Sequence, residues 1–267
     1  MPKKTFKRVV AIGDLHCGHR VGLTPPAWQY SAKGNKYFKI QRELWNEYAG
    51  IMDRLKPIDI LIVNGDVIDG RGERSGGTEL IETDRLKQVD MAAEAINYCK
   101  ADKVVITRGT PYHTGFKEDF EDGLLQKATN CTKIGDHEFY NVNGVVFDVK
   151  HSVSSSSIPY GQFTPVAKDR LWNLIWSEYD MQPKADILLR SHVHYFLQSG
   201  GVDWDAFVLP ALQGMGSKFG AKICSGLVHF GVCWFDVFDK PDKWGKKWEF
   251  NKHIVKLKSQ AATVTEL

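Results

Sequence analysis

Three short apolar runs, Arg8-Val-Val-Ala-Ile12, Asp59-Ile-Leu-Ile-Val63 and Lys103-Val-Val-Ile-Thr107, alternate with two stretches of helical periodicity. Runs this continuous, rich in β-branched residues, read as strands buried on both faces. The first helical stretch covers about Phe38 to Leu55 and stops at Pro57; the second covers Thr83 to Tyr98. The order βαβαβ implies parallel strands joined by right-handed crossovers. The rest of the chain breaks this rhythm. Residues 137–142 and 144–151 alternate around an Asn143-Gly144 turn, as a hairpin does. A helix is expected over Pro165–Tyr179 and a strand over Ala185–Leu189. Phe207–Leu212, Gly226–Phe238 and Trp248–Lys258 read as antiparallel strands. The expected architecture is α/β, one domain over residues 1–267, with two packed mixed sheets and helices outside.

What leaves these strands is chemically unusual. The first run ends on Asp14 and His16, the second on Asp66 and Asp69, and the third on a loop that reaches His113. His151 closes the hairpin, and His192 and His194 follow the Ala185–Leu189 strand. Period-two alternation puts the last two rings on one face of an extended segment. Carboxylates and imidazoles gathered from strand ends suit a pair of divalent cations: Mn²⁺ foremost, with Fe, Zn²⁺ and Ni²⁺ as the other candidates, ahead of Ca²⁺ or Mg²⁺. Two such ions about 3.5–4 Å apart can grip the attacking and leaving oxygens of a displacement at phosphorus. They also lower the pKa of a coordinated water from 15.7 to about 7.

Taken together, Gly13-Asp-Leu-His-Cys-Gly18, Gly65-Asp-Val-Ile-Asp69, Gly109-Thr-Pro-Tyr-His113, the lone His151 and Ser191-His-Val-His194 resemble the calcineurin-like metallophosphoesterase superfamily. The motifs span about two thirds of the chain. The resemblance implies a four-layer sandwich with a dinuclear site at one edge. It implies that Asp14, His16 and His194 bind one metal, that Asp66 bridges, and that His151 and His192 hold the second. Asp69 would orient a histidine or a loop. The purple acid phosphatase branch carries a tyrosine ligand at that place, so this chain is not similar to that branch.

Two departures stand out. The superfamily's third motif is Gly-Asn-His, in which Asn binds metal and His is the catalytic acid. Here Thr110 follows Gly109 and the histidine arrives at 113. Either Thr110 replaces the Asn ligand while His113 remains the acid, held in place by the rigid Pro111, or His113 has become the ligand. Ser191 stands where Gly usually precedes His-x-His, a mild change. Arg108 precedes the third motif as an arginine does in the serine/threonine protein phosphatases, and Arg71 follows the second motif. Guanidinium forks suit phosphate oxygens, so both are candidate substrate contacts.

The expected function is metal-dependent phosphoester hydrolysis, with a phosphodiesterase or nuclease first. A phosphomonoesterase, or a metal-binding regulatory protein of weak activity, is the alternative. Arg71, Arg74, Arg108, Trp28 and Tyr30 would favour a substrate carrying a base, such as a nucleotide or nucleic acid. The segment Lys240–Lys258, with seven lysines against two acidic residues, is either an extension of that path or an edge strand guarded by lysines. A net charge of +3 does not by itself imply a nucleic-acid partner. Five cysteines without CxxC spacing, an N-terminus lacking an apolar core and no apolar stretch near 18 residues point to a reduced cytoplasmic protein off the membrane. Oligomeric state is open.

Overall fold

The structure is a computed structural model and describes residues 5–30, 36–115, 118–156, 158–215, 227–258 and 266. The Gly34-Asn35 turn signal, Ser157, Cys224, the expected strand start at Gly226 and the side chain of Arg74 lie outside the described residues.

The βαβαβ half forms as its periodicity implies. Strands β1 (Phe6–Ile12), β2 (Ile60–Asn64) and β3 (Lys103–Thr107) are parallel, joined through helices α1 (Lys36–Leu55) and α2 (Arg85–Tyr98). Asp84 caps α2, its carboxylate accepting from the Leu86 N–H at 2.9 Å. After two one-turn helices, α3 (Pro111–Thr114) and α4 (Leu124–Lys127), a fourth parallel strand β4 (Cys131–Gly135) closes that side. The hairpin is β5 (His137–Val142) and β6 (Val145–Lys150), and α5 (Thr164–Glu178) follows it. Next come β7 (Ile187–Arg190), β8 (Leu197–Gly200), β9 (Asp205–Val208), β10 (Phe230–Phe238) and β11 (Trp248–Val255).

Two mixed sheets result, ordered β11-β10-β1-β2-β3-β4 and β5-β6-β7-β9-β8. Period two divides each strand between two cores. Val9, Ala11, Ile62 and Val105 face Phe147, Val149, Ile187, Leu189 and Phe207 across the sheet interface. Their neighbours Val10, Ile12, Leu61, Val63, Val104 and Ile106 pack under α1 and α2. On the far side, Val166 of α5 meets Leu188, Ala206 and Val208. Each such buried side chain contributes roughly 1.5–3 kcal/mol by its transfer from water. The α/β four-layer sandwich is therefore as expected.

Three details differ. β4 and β8 have no counterpart in the expected strands: β4 is half exposed and mostly polar, and β8 is Leu-Gln-Ser-Gly. The strand expected over Phe207–Leu212 lies at Asp205–Val208, parallel to β7 on one side and antiparallel to β8 on the other. The chain leaves the ladder at Leu209, where Pro210 brings no N–H for it to continue. β10 and β11 are antiparallel as read, with β11 at the sheet edge. No helix among the described residues is long and apolar enough to cross a membrane.

Candidate metal centre

Because β1, β2 and β3 are parallel, and β6 is parallel to β7, their carboxyl ends open together at one edge of the sandwich. Asp14, Asp66, Thr110, His151 and His192 each stand one to three residues past those ends. The loops are stitched by backbone bonds: Asp14 N–H to Gly65 O and His16 N–H to Asp66 O, both 3.0 Å. Five of the expected ligands take left-handed backbone angles: Asp14 (φ 51°), His16 (46°), Asp66 (49°), His192 (76°) and His194 (59°). Asp and His tolerate this region better than most residues, and such strain concentrates at functional sites. It turns each side chain out of the strand direction into the shared space.

Among the described residues three groups of possible metal ligands form there: Asp14, His16 and His194; Asp66, His151 and His192; and, overlapping the first, His16, Asp69 and His113. In the first, His194 Nε2 lies 3.3 Å from Asp14 Oδ1, and His16 Nε2 lies 3.2 Å from His194 Nε2 and 4.0 Å from Asp14 Oδ1. In the second, His151 Nε2 lies 3.0 Å and His192 Nδ1 4.0 Å from Asp66 Oδ2. Thr110 Oγ1 stands among these three, 3.2 Å from Asp66 Oδ2, 3.4 Å from His151 Nε2 and 3.2 Å from His192 Nδ1. Ligand atoms held about 2.0–2.1 Å from one ion in tetrahedral array stand about 3.4 Å apart. Most separations in these first two groups come near that edge length, with one 4.0 Å pair in each wider, and their residue types could each hold a divalent cation.

The supporting contacts present lone pairs to these spaces. His16 Nδ1–H donates to Asp69 Oδ1 at 3.0 Å and His151 Nδ1–H to the Asn64 carbonyl at 2.7 Å, so each ring turns Nε2 toward its group. Burial pushes the His16 imidazole down to about 4, against the pull of Asp69, and keeps it neutral. Burial alone would raise Asp14 and Asp66. The neighbouring imidazoles, His194 for Asp14 and His151 for Asp66, hold both below the usual carboxylate range.

Glycine at two positions permits the close approach. A Cβ on Gly109 would meet Asp66 N and Oδ1 at 2.2 Å, and one on Gly65 would meet His151 Nδ1 at 2.4 Å. Ser191, in place of the usual Gly, accepts from Asn64 Nδ2 at 2.9 Å.

His113 sits beside the first group, its ring edge-on to His16 with centroids 4.6 Å apart. Its Nδ1–H donates to the Asp69 carbonyl at 2.9 Å. Asp69 thus orients His16 through its carboxylate and His113 through its backbone. Arg108 is placed differently from the expectation. Its guanidinium pairs with Asp119 at 3.4 Å, Asp122 at 2.8 Å and Asp136 at 3.2 Å, so it is engaged by three carboxylates rather than offered to phosphate. Arg71 is exposed. Trp28 anchors its loop, donating to Glu94 Oε2 at 2.9 Å and packing on the core under α1. The loop after Asp69, mobile by composition, is docked: the Gln88 amide accepts from Gly70 N–H at 2.8 Å and donates to Gly70 O at 2.9 Å. Gln88 is a buried polar residue on a helix face; its place in the helical pattern is the one signal that could have found it. Cys17, next to His16, is a buried core residue, its thiol pushed up by burial.

One pH consequence follows. Burial lowers His151, but the Asp66 and Asp14 charges outweigh it and raise the imidazole to about 10 in metal-free protein. A folded pKa above the unfolded value of roughly 6.5 stabilises the metal-free fold fully below about pH 6.5, and that contribution is lost as pH rises through about 10. A cation at Nε2 has to displace this proton. Mn²⁺ affinity should then rise by up to about tenfold per unit below pH 10. Calorimetric titration at pH 8 in two buffers of different ionisation heat should show proton release; identical heats would contradict the assignment.

No protein-family model matches the chain, and no curated protein matches it. Among solved structures it is similar to an archaeal phosphodiesterase (11% identity, 93% of this chain and 99% of that one, TM-score 0.48). It is also similar to Vps29 of Cryptosporidium parvum (11%, 94% and 100%, 0.48) and to zinc-complexed Vps29 of Entamoeba histolytica (13%, 92% and 98%, 0.43).

Proposed function

We propose that this chain is a metal-dependent phosphoesterase working with two divalent cations and preferring phosphodiesters, nucleotides and nucleic acid among them. The observation that carries the reading is the pair of carboxylate–imidazole groups, Asp14 with His16 and His194, and Asp66 with His151 and His192. Two carboxylates this deeply buried need cationic partners, and the supporting hydrogen bonds already aim Nε2 of His16 and of His151 into the two spaces. Mn²⁺ fits the mixed oxygen and nitrogen donor set, as do Fe, Zn²⁺ and Ni²⁺.

In this reading Asp14, His16 and His194 hold one ion, and His151, His192 and the Thr110 hydroxyl hold the other, with Asp66 between them. Bound there, divalent cations would supply an activated water and offset charge on the phosphoryl oxygens. Thr110 takes the missing Asn's place, which leaves His113 free as the acid. With Nδ1–H fixed on the Asp69 carbonyl, protonated His113 keeps Nε2–H to hand to the leaving oxygen.

The diester preference no longer draws on Arg108 or Trp28. It draws on the basic edge strand: Lys252 lies 4.5 Å from the ring centroid of Phe196, two residues past His194. That places a cation of β11 against the loop carrying two of the imidazoles, where a flanking phosphate could be held. With Mn²⁺, kcat/KM should be higher on bis-p-nitrophenyl phosphate and oligonucleotides than on p-nitrophenyl phosphate, and oligonucleotide cleavage should fall steeply with salt. Equal or better turnover of the monoester, indifferent to salt, would replace this with a phosphomonoesterase. No hydrolysis by metal-loaded protein would leave a regulatory metal-binding role.

A further inference from the structure

Glu121 is fully buried in the turn Phe120–Gly123, eight residues beyond His113. Its Oε1 accepts from the Val67 N–H at 2.6 Å and its Oε2 from the Gly109 N–H at 2.9 Å. Val67 follows Asp66, and Gly109 precedes Thr110. These two loops also touch directly, with Thr110 N–H donating to Asp66 Oδ1 at 2.6 Å.

We propose that Glu121 is a positioning residue for the metal centre: its carboxylate locks the loop bearing Asp66 to the loop bearing Thr110 and so sets the spacing of those two ligands. Holding two amides at once requires two acceptor oxygens, which a carboxyl group has and an amide lacks. A turn that needed only filling would be better served by an apolar side chain, because a buried carboxylate costs stability unless fully hydrogen-bonded. The placement matters because the third motif is irregular here. Thr110 has a shorter reach than Asn, so its hydroxyl stays within 3.2–3.4 Å of Asp66, His151 and His192 only while the loops keep their separation.

This rests on the phosphoesterase reading, and the test separates the two. Mn²⁺ is titrated calorimetrically into wild type, Glu121→Gln and Glu121→Asp, with thermal midpoints taken in chelator. Asn173→Ala serves as control: Asn173 is a buried amide of α5 that accepts from Ala185 N–H at 3.0 Å and donates to Pro183 O at 3.0 Å, far in sequence from the ligand loops. Glu121→Gln, of equal size, should weaken one of two Mn²⁺ sites by about 10–100-fold. Glu121→Asp, too short to reach both amides, should do likewise. Asn173→Ala should lower the midpoint and leave both affinities alone. Unchanged Mn²⁺ affinity in Glu121→Gln, or an equal loss in Asn173→Ala, would overturn the proposal, as would insolubility of both Glu121 variants, which would assign the residue to the fold. Wild-type protein that takes up no Mn²⁺ would instead sink the phosphoesterase reading, and this proposal with it.

Discussion

Asp66→Asn will reduce phosphoester hydrolysis to the uncatalysed background while leaving a soluble, folded chain. Asp66 is almost completely buried, and its two oxygens serve different partners: Oδ1 accepts from Thr110 N–H, and Oδ2 faces His151, Thr110 Oγ1 and His192. Asn keeps the shape and one acceptor but removes the charge that cations in the two groups would require of a residue shared between them. The substitution touches no residue of the cores on either side of the first sheet, so the chain should stay folded, with the midpoint of metal-free protein lowered by loss of the Asp66–His151 pair. His151 should also lose most of what raises it, since the Asp66 charge is the largest influence doing so. The checks are metal content by plasma emission beside hydrolysis of bis-p-nitrophenyl phosphate. Full activity with two ions retained would refute the bridging role.

His113→Ala is expected to keep both metals and lose about 10²–10⁴ in rate on esters with poor leaving groups. The loss should be much smaller on p-nitrophenyl esters, whose leaving group needs little protonation. The geometry behind this is the Nδ1–H fixed on the Asp69 carbonyl and the ring's place beside His16, outside the two groups proposed to hold metal; with His16 and Asp69 it also makes a third possible ligand group. Loss of an ion from this variant would favour the other reading of the third motif, with His113 as the ligand.

Much of the centre was legible in the sequence because strand ends are legible. Continuous apolar runs announce buried parallel strands, and Asp14, Asp66, His151, His192 and His194 then need only short exits to converge. The left-handed backbone of Asp14, His16, Asp66, His192 and His194 is a tertiary outcome that no periodicity reports. Arg108 illustrates the limit. Its neighbours in sequence suggested a phosphate contact, but Asp119, Asp122 and Asp136 reach it from a segment whose path depends on β4, a strand too short and polar to stand out. Likewise the glycine-rich stretch after Asp69 reads as mobile until the Gln88 amide is seen against Gly70. Trp28 could line a groove or anchor its loop, and the contact that bears on the choice, with Glu94 on α2, lies 66 residues away.

The claim at the centre of this account is that one sheet edge holds two cations through two separate residue groups. Anomalous diffraction at the manganese edge, from crystals grown with Mn²⁺, tests it directly. Two peaks are predicted, one among Asp14, His16 and His194 and one among Asp66, Thr110, His151 and His192, with Asp66 contacting both. A single peak, or density at neither group, would contradict it.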